Sequence, residues 1–244
     1  MDGRLHALLA QQHGAFSAAE AGARGVDAGL LRTASREGEV VRVRRGAYVS
    51  RPAMLAADGD GRYRLAAMAV ARTRPGDALS HHAALALHGL PLWNADLTRI
   101  DLVGTPGQAV RRNRVTVRPR RSEAVVKVSG LPVVPVAEAV VGAALTLGPE
   151  CAVVAGDAAL HAGLVDLADL LDEVAKVSPH QGRQRALDAV LRMDPRAESV
   201  GESRTRMALQ ELGLSFERVV WDELDRPGLL GDRIRAARPA PRTA

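Results

Sequence analysis

The chain has 244 residues, 47% of them hydrophobic, with 33 Lys and Arg against 28 Asp and Glu and a formal charge of +5. That length and composition suit two modest folded domains and exclude a disordered chain. The single cysteine, Cys151, excludes an internal disulfide and a cysteine-cluster zinc site, and no apolar run reaches the roughly 20 residues that span a bilayer.

From the N-terminus, RLHALLAQQH places Leu5, Leu8 and Leu9 at helical spacing before Gly14. Ser17 followed by Glu20 is a capping-box signature for a second helix, closed at Gly25. Asp27 caps a third helix over 28–37, with Leu30, Leu31 and Ala34 on its inner face and Gly38 beyond its end. In EVVRVRRGAYV, Val41 and Val43 alternate with Arg42 and Arg44, a strand period. Arg44-Arg45-Gly46 then turns the chain into a second strand, Ala47-Tyr48-Val49. Pro52 and AADGDG (56–61) read as a connector.

A helix follows over 62–74, stopped by Pro75-Gly76, and Ser80 caps another in HHAALALHG. Strands are expected at 99–103, 114–119 and 131–136, with the turn GTPG after the first. An apolar helix, AEAVVGAAL, leads into helices near 150–162, 166–177, 181–193 and 199–212. SFERVVW (215–221) reads as a strand, and the polar stretch from Asp222 as a disordered tail. Cys151 sits in an apolar run and reads as a small buried residue.

Three capped helices followed by a basic hairpin describe a winged helix-turn-helix. The third helix is narrow enough for the DNA major groove, and its outward side chains reach base edges. Arg32, Ser35 and Arg36 lie away from the inner face and are the candidates for that contact. Arg42, Arg44 and Arg45 on the wing are candidates for phosphate or minor-groove contact. The competing reading is a helical domain with a solvated arginine strand. Net charge does not decide between them. Lys127 and Lys176 are the only lysines, and an Arg-, Ala- and Gly-rich chain is also what a GC-rich genome encodes.

GVDAGLLRTASREGEVVRVRRGAYVS resembles the N-terminal winged helix of the AbiEi-type antitoxins of type IV toxin–antitoxin systems. The likeness lies in the Gly-closed recognition helix, the basic strand and the Arg45-Gly46-Ala47-Tyr48 turn. It continues in ALSHHAALALHGLP (78–91), similar to that family's Ser-His-x-x-Ala-Ala…His-Gly-Leu helix, and in RIDLVGTPG…RVTVRPRR. It fades beyond residue 135, where VPVAEAVVGAA lacks the Thr and Asp of the family's following helix. The resemblance implies a transcriptional regulator acting on its own promoter, and in some cases a partner, a nucleotidyltransferase toxin.

RRNRVTVRPRR holds six arginines in eleven residues. Arg111, Arg112, Arg114 and Arg118 are candidates for a second phosphate-contacting surface. Arg114 and Arg118 are expected to share a strand face with Thr116, with Val115 and Val117 inward. A solvated sheet face is the plainer alternative, and the absence of interleaved aromatics argues against single-strand stacking. His81, His82 and His88 lack further ligands at metal spacing and read as core and capping residues.

GESRTRMALQELG resembles the first helix of a domain similar to the very-short-patch-repair endonucleases, of PD-(D/E)xK type. That chemistry needs three carboxylates around a divalent ion. Glu202 matches the helix carboxylate, and Asp232 lies near the expected place of the second. No third follows, so the segment reads as truncated and inactive.

The expectation is an α+β protein. A winged helix-turn-helix at 1–52 precedes a mixed α+β domain at 60–195 and a vestigial nuclease-like helix-strand and tail at 196–244. It acts as a cytoplasmic, non-enzymatic regulator of double-stranded DNA. No metal or cofactor is expected, a cognate toxin is a further partner, and a palindromic operator would call for a homodimer. The alternatives are a DNA endonuclease targeted by the winged helix and a toxin-binding module.

Overall fold

The computed structural model describes residues 2–146 and 148–212. The chain opens with α1 (Gly3–Gln11), β1 (Ala15–Ser17), α2 (Ala18–Ala23), α3 (Ala28–Arg36), β2 (Val40–Arg44) and β3 (Ala47–Ser50). The strands form an antiparallel sheet in the order β1-β3-β2. The helix starts follow from their caps. Ser17 and Glu20 close a reciprocal capping box on α2, and Asp27 accepts the Leu30 amide at 2.8 Å at the head of α3. Leu5, Leu8, Phe16, Val26, Leu31 and Val40 form a small core between helices and sheet. Phe16 stacks on Tyr48 with ring centroids 5.5 Å apart.

β1 carries no sequence signal. Three residues are too few to show a period, and AFS becomes a strand because it pairs with β3, Ala15 opposite Val49 and Ser17 opposite Ala47.

The other face of this sheet is buried too. Ala15, Ala47 and Val49 join the main core of the protein. They meet α5 (Gly59–Ala71), which packs on β1 and β3. Pro52 starts a helix here. Ser50 caps α4 (Arg51–Ala56), with proline in the first turn, where its missing N–H costs nothing. Asp58 caps α5, accepting the Gly61 amide at 2.8 Å. The stretch read as a connector is thus a tight junction between two helices.

A second sheet of six strands follows, in the order β6-β7-β5-β4-β9-β8. Its members are β4 (Ala78–Leu79), β5 (Ile100–Gly104), β6 (Val110–Arg112), β7 (Val115–Pro119), β8 (Val126–Val128) and β9 (Leu131–Val133). β5 and β7 run parallel, as do β4 and β9, and the other neighbours are antiparallel. β5 and β7 fall at the strands expected over 99–103 and 114–119, whereas β9 fills only the first half of the expected 131–136, since Val136 already begins α7. β4, β6 and β8, of two or three residues each, are strands through their pairing with neighbours.

Between β4 and β5 lies α6 (His81–Leu87), every residue of which is buried. The C-terminal part is helical: α7 (Val136–Thr146), α8 (Pro149–His161), α9 (Leu167–Ala175), a 3-10 turn at Pro179–Gln181, α10 (Arg183–Leu191) and α11 (Val200–Glu211). α7 packs against α6, α8, α9 and α10. It is buried continuously from Glu138 to Ala144, which is why its sequence shows apolar residues on every face. Cys151 is buried on α8, as expected. The architecture is α+β with an N-terminal winged-helix region. The expected strand at 215–221 and the tail from Asp222 lie outside the described residues.

Candidate nucleic-acid interface

α3 and the wing enclose a groove of about 400 Å³, lined by Leu31, Arg32, Ser35, Arg36, Arg42 and Tyr48. Four of the residues singled out from the sequence therefore converge. Arg32 and Arg36 project into solvent from one side, Ser35 is half-buried between them, and Arg42 faces them from β2. Their orientation follows from α3's amphipathic spacing. Leu31 and Ala34 are held in the core, so the intervening positions point outward. Arg36 donates to Thr33 Oγ1 at 3.3 Å, an exposed contact. Tyr48 belongs to this groove as well. It stands opposite Arg42 across the ladder, its ring packed on Phe16.

The wing departs from simple alternation. Arg42 pairs with Tyr48, but Arg44 pairs with Ala47, so a β-bulge intervenes. Cross-strand partners share a face. Arg42 therefore looks into the α3 groove with Tyr48, whereas Arg44 is turned with Ala47 towards α5. There it is half-buried, and burial together with the nearby charges of Arg74 and Arg112 pulls its pKa below the usual arginine value. Arg45 stays exposed at the turn, where Gly46 takes φ 78°. Arg74 was not legible as a site residue. It lies three residues beyond the end of α5, and only the packing of α5 on the wing brings it to Arg44.

The arginine-rich stretch divides. Arg111 and Arg112 are exposed on β6, an edge strand, and Arg112 lies close enough to Arg44 to repel it. Arg114 is exposed but is not in the strand. With Asn113 it forms the two-residue turn between β6 and β7, at φ 48° and 62°, the pattern of a type I′ hairpin turn. Arg118 corrects the expectation most clearly. Thr116 is buried with Val115 and Val117, so both faces of β7 are covered. Arg118 turns inward and forms an ion pair with buried Asp101, which also stands 3.3 Å from His82 Nδ1. It is a structural cation, committed to Asp101 and only partly exposed.

His82 stacks on Tyr63 and approaches the Arg99 carbonyl at 3.1 Å, and His88 approaches the Val134 carbonyl at 2.9 Å. Both act as core histidines. Among the described residues, no group of three or more His, Cys, Asp or Glu side chains is arranged to hold a metal ion, and no helix is long and apolar enough to cross a membrane.

On α11, Ser199 caps the helix through the Glu202 amide at 3.2 Å, and Glu202 Oε2 accepts the Glu198 amide at 3.1 Å. Arg206 is buried against Asp157 of α8 at 2.5 Å. The Gly-Glu-Ser-x-x-Arg pattern thus caps α11 and pins it to α8. Asp232, its expected companion, lies outside the described residues.

The N-terminal region is a winged helix-turn-helix with a basic groove at its recognition helix, the class of DNA-binding transcription factors. Residues 4–51 match the family described as transcriptional regulator, AbiEi antitoxin. The match ends where α4 begins, and the resemblance of α11 to a repair endonuclease finds no counterpart in it. Among solved structures, the chain is similar to the RV2827C protein from Mycobacterium tuberculosis. The identity is 17% and the TM-score 0.42, covering 89% of this chain and 82% of that one. No curated protein matches the chain.

Proposed function

We propose that this protein is a sequence-specific double-stranded DNA-binding regulator of antitoxin type that represses its own promoter. The observation that carries this reading is the convergence of Arg32, Ser35, Arg36 and Arg42 on one groove between α3 and the wing. With α3 in the major groove, Arg32, Ser35 and Arg36 meet base edges while Arg42 and Arg45 hold the backbone. The turned-back Arg44, with Arg111 and Arg112, extends the footprint to the neighbouring phosphates, while Arg74 beside them is already paired with Asp77 at 2.5 Å. Like charges gathered this closely are costly alone and are relieved by a polyanion. A palindromic operator would recruit two copies. The reading requires no catalysis.

The test is binding of the protein to duplex DNA from its own upstream region at two salt concentrations, followed by fluorescence anisotropy. Affinity is expected to fall steeply with salt and to collapse when Arg42, Arg44 and Arg45 are all replaced by alanine. Binding that ignores salt, or that survives the triple replacement, refutes the proposal.

A toxin-binding role has its own support. Leu164 and Leu167 are 50% and 46% exposed beside a groove of about 530 Å³ at the α8–α9 corner. Exposed leucines flanking a concavity suit a protein partner. Co-purification with the product of the adjacent gene, lost on replacing both leucines with serine, distinguishes this role from DNA binding.

A further inference from the structure

A cavity of about 520 Å³ opens between the β5–β7 part of the second sheet and the last turn of α7. It shares no lining residue with the α3–wing groove. Its walls include Val103, Pro119 and Leu145, and its polar end holds His81, Arg118 and Arg121. Among the described residues, no acidic side chain lines it.

The three basic groups differ in how far they are already committed. Arg118 is held by Asp101. Arg121, half-buried, has no ion pair or hydrogen bond among the described residues. His81 is 6% exposed and its Nδ1 lies 3.0 Å from Ser80 Oγ, which leaves Nε2 without a hydrogen bond among the described residues. Its backbone is held at φ 51°, a left-handed conformation that a bulky residue adopts only when its surroundings enforce it. Gly142 of α7 leaves the room that the ring occupies. A Cβ at that position would stand 3.1 Å from the imidazole, so the ring packs directly on the helix backbone. The carboxylate within electrostatic reach of Arg121 is that of Glu138. Burial and the neighbouring Glu173 push its pKa up to about 7, so it offsets Arg121 only partly near neutral pH.

We propose that this cavity binds a small organic anion, with Arg121 and His81 Nε2 holding a carboxylate or phosphate group and the Val103–Leu145 wall covering an apolar body. The uncommitted guanidinium supplies charge-assisted donors, and the imidazole, which burial and the nearby Arg118 and Arg121 hold neutral, adds an Nε2–H donor in the tautomer whose Nδ1 accepts the Ser80 hydroxyl. A concave site of this size, mostly apolar with a few converging polar groups, has the composition of a small-molecule pocket. A bare inorganic ion would leave the apolar wall uncovered.

The experiment is isothermal titration of the full chain with phenyl phosphate and with benzoate, using sulfate as the inorganic control. At least one organic probe is expected to bind saturably and more tightly than sulfate, and the stronger of the two identifies the head group. Arg121→Ala should weaken that binding by about tenfold or more, about 1.4 kcal/mol. Ala109→Trp, at the exposed rim, should block the cavity with every charge in place, and it decides the matter if Arg121→Ala does not fold. The proposal is overturned if neither probe saturates by about 10 mM. It is equally overturned if sulfate binds as well as the organic probes, or if the deciding variant binds like the unmodified protein.

Discussion

The carboxylate of Glu20 meets the guanidinium of Arg72 at 3.2 Å, across the seam between α2 and the end of α5. Glu20 is shared. The same carboxylate accepts the Ser17 amide and hydroxyl, both at 2.8 Å, and Gln12 Nε2 at 2.9 Å. One side chain thus caps the second helix of the winged helix and ties that region to the body of the protein. Through this seam and the Ala15, Ala47 and Val49 face of the first sheet, α5 holds the wing at a defined distance from β6.

Replacing Glu20 with alanine should therefore cost more than the removal of a cap. Arg72 is only 9% exposed at its side chain and would be left as an uncompensated, largely buried charge. The expected destabilisation is about 2–4 kcal/mol, above the roughly 1 kcal/mol of an N-terminal cap alone. Urea unfolding of the full chain measures it, and a destabilisation at the level of a simple cap would show that the seam contributes little.

Arg112 and Arg118 are six residues apart in one basic stretch, yet opposite effects are expected from them. Arg112→Ala should reduce the slope of log affinity against log salt by about 0.9, the change for one phosphate no longer neutralised, and leave stability unchanged. Arg118→Ala should leave that slope unchanged and destabilise the fold by about 3 kcal/mol, because Asp101, 3% exposed, is deprived of its ion pair. Salt-dependent anisotropy and thermal unfolding of both variants check this. A lowered slope in Arg118→Ala would return that residue to the surface.

Glu138 makes stability depend on pH. Its pKa is raised from the usual glutamate value to about 7 in the folded state, by burial first and by Glu173 second. A raised carboxyl pKa means the folded state favours the neutral form. The stability this provides is fully present below the ordinary value near pH 4.5 and is lost as pH rises through about 7. At 1.36 kcal/mol per pH unit between 4.5 and about 7, the loss is of order 3 kcal/mol. Glu138→Gln should remove this component and raise stability at pH 8. Unfolding midpoints at pH 5, 6, 7 and 8 measure the effect, and an unchanged profile in the variant contradicts it.

α11 hangs on the Asp157–Arg206 pair, 1% and 7% exposed at the two side chains. Asp157 also accepts the Asp194 amide at 2.7 Å. Asp157→Ala should destabilise by about 3–5 kcal/mol, whereas Glu202→Gln, near the cap, should cost less than about 1 kcal/mol. DNA affinity should follow neither. Metal-dependent DNA cleavage abolished by Glu202→Gln would instead give that residue a catalytic role.

The local features of the winged helix were legible in the residues themselves. Ser17, Glu20, Asp27, Gly38 and Gly46 are signals acting over two to four positions, and the spacing of Leu30, Leu31 and Ala34 determines which side of α3 faces outward. Such signals need no knowledge of the rest of the chain, so Arg32, Ser35, Arg36 and Arg42 could be placed from sequence. Longer-range relationships could not. A bulge between Arg42 and Arg44 is invisible in an alternating pattern, yet it turns Arg44 from the recognition groove towards Arg74 and Arg112. Arg114 and Arg118 look equivalent to Arg112 in a run of arginines. One occupies a turn and the other serves Asp101, because only the folded sheet sets β7 beside β5, which carries Asp101. The sequence alone determined the helices, the hairpin and the outward face of α3, since these rest on caps and periodicity. Only the tertiary structure decided which arginines remain free to meet an anion, because a charge is committed or free according to the partners that folding brings within a few ångströms of it.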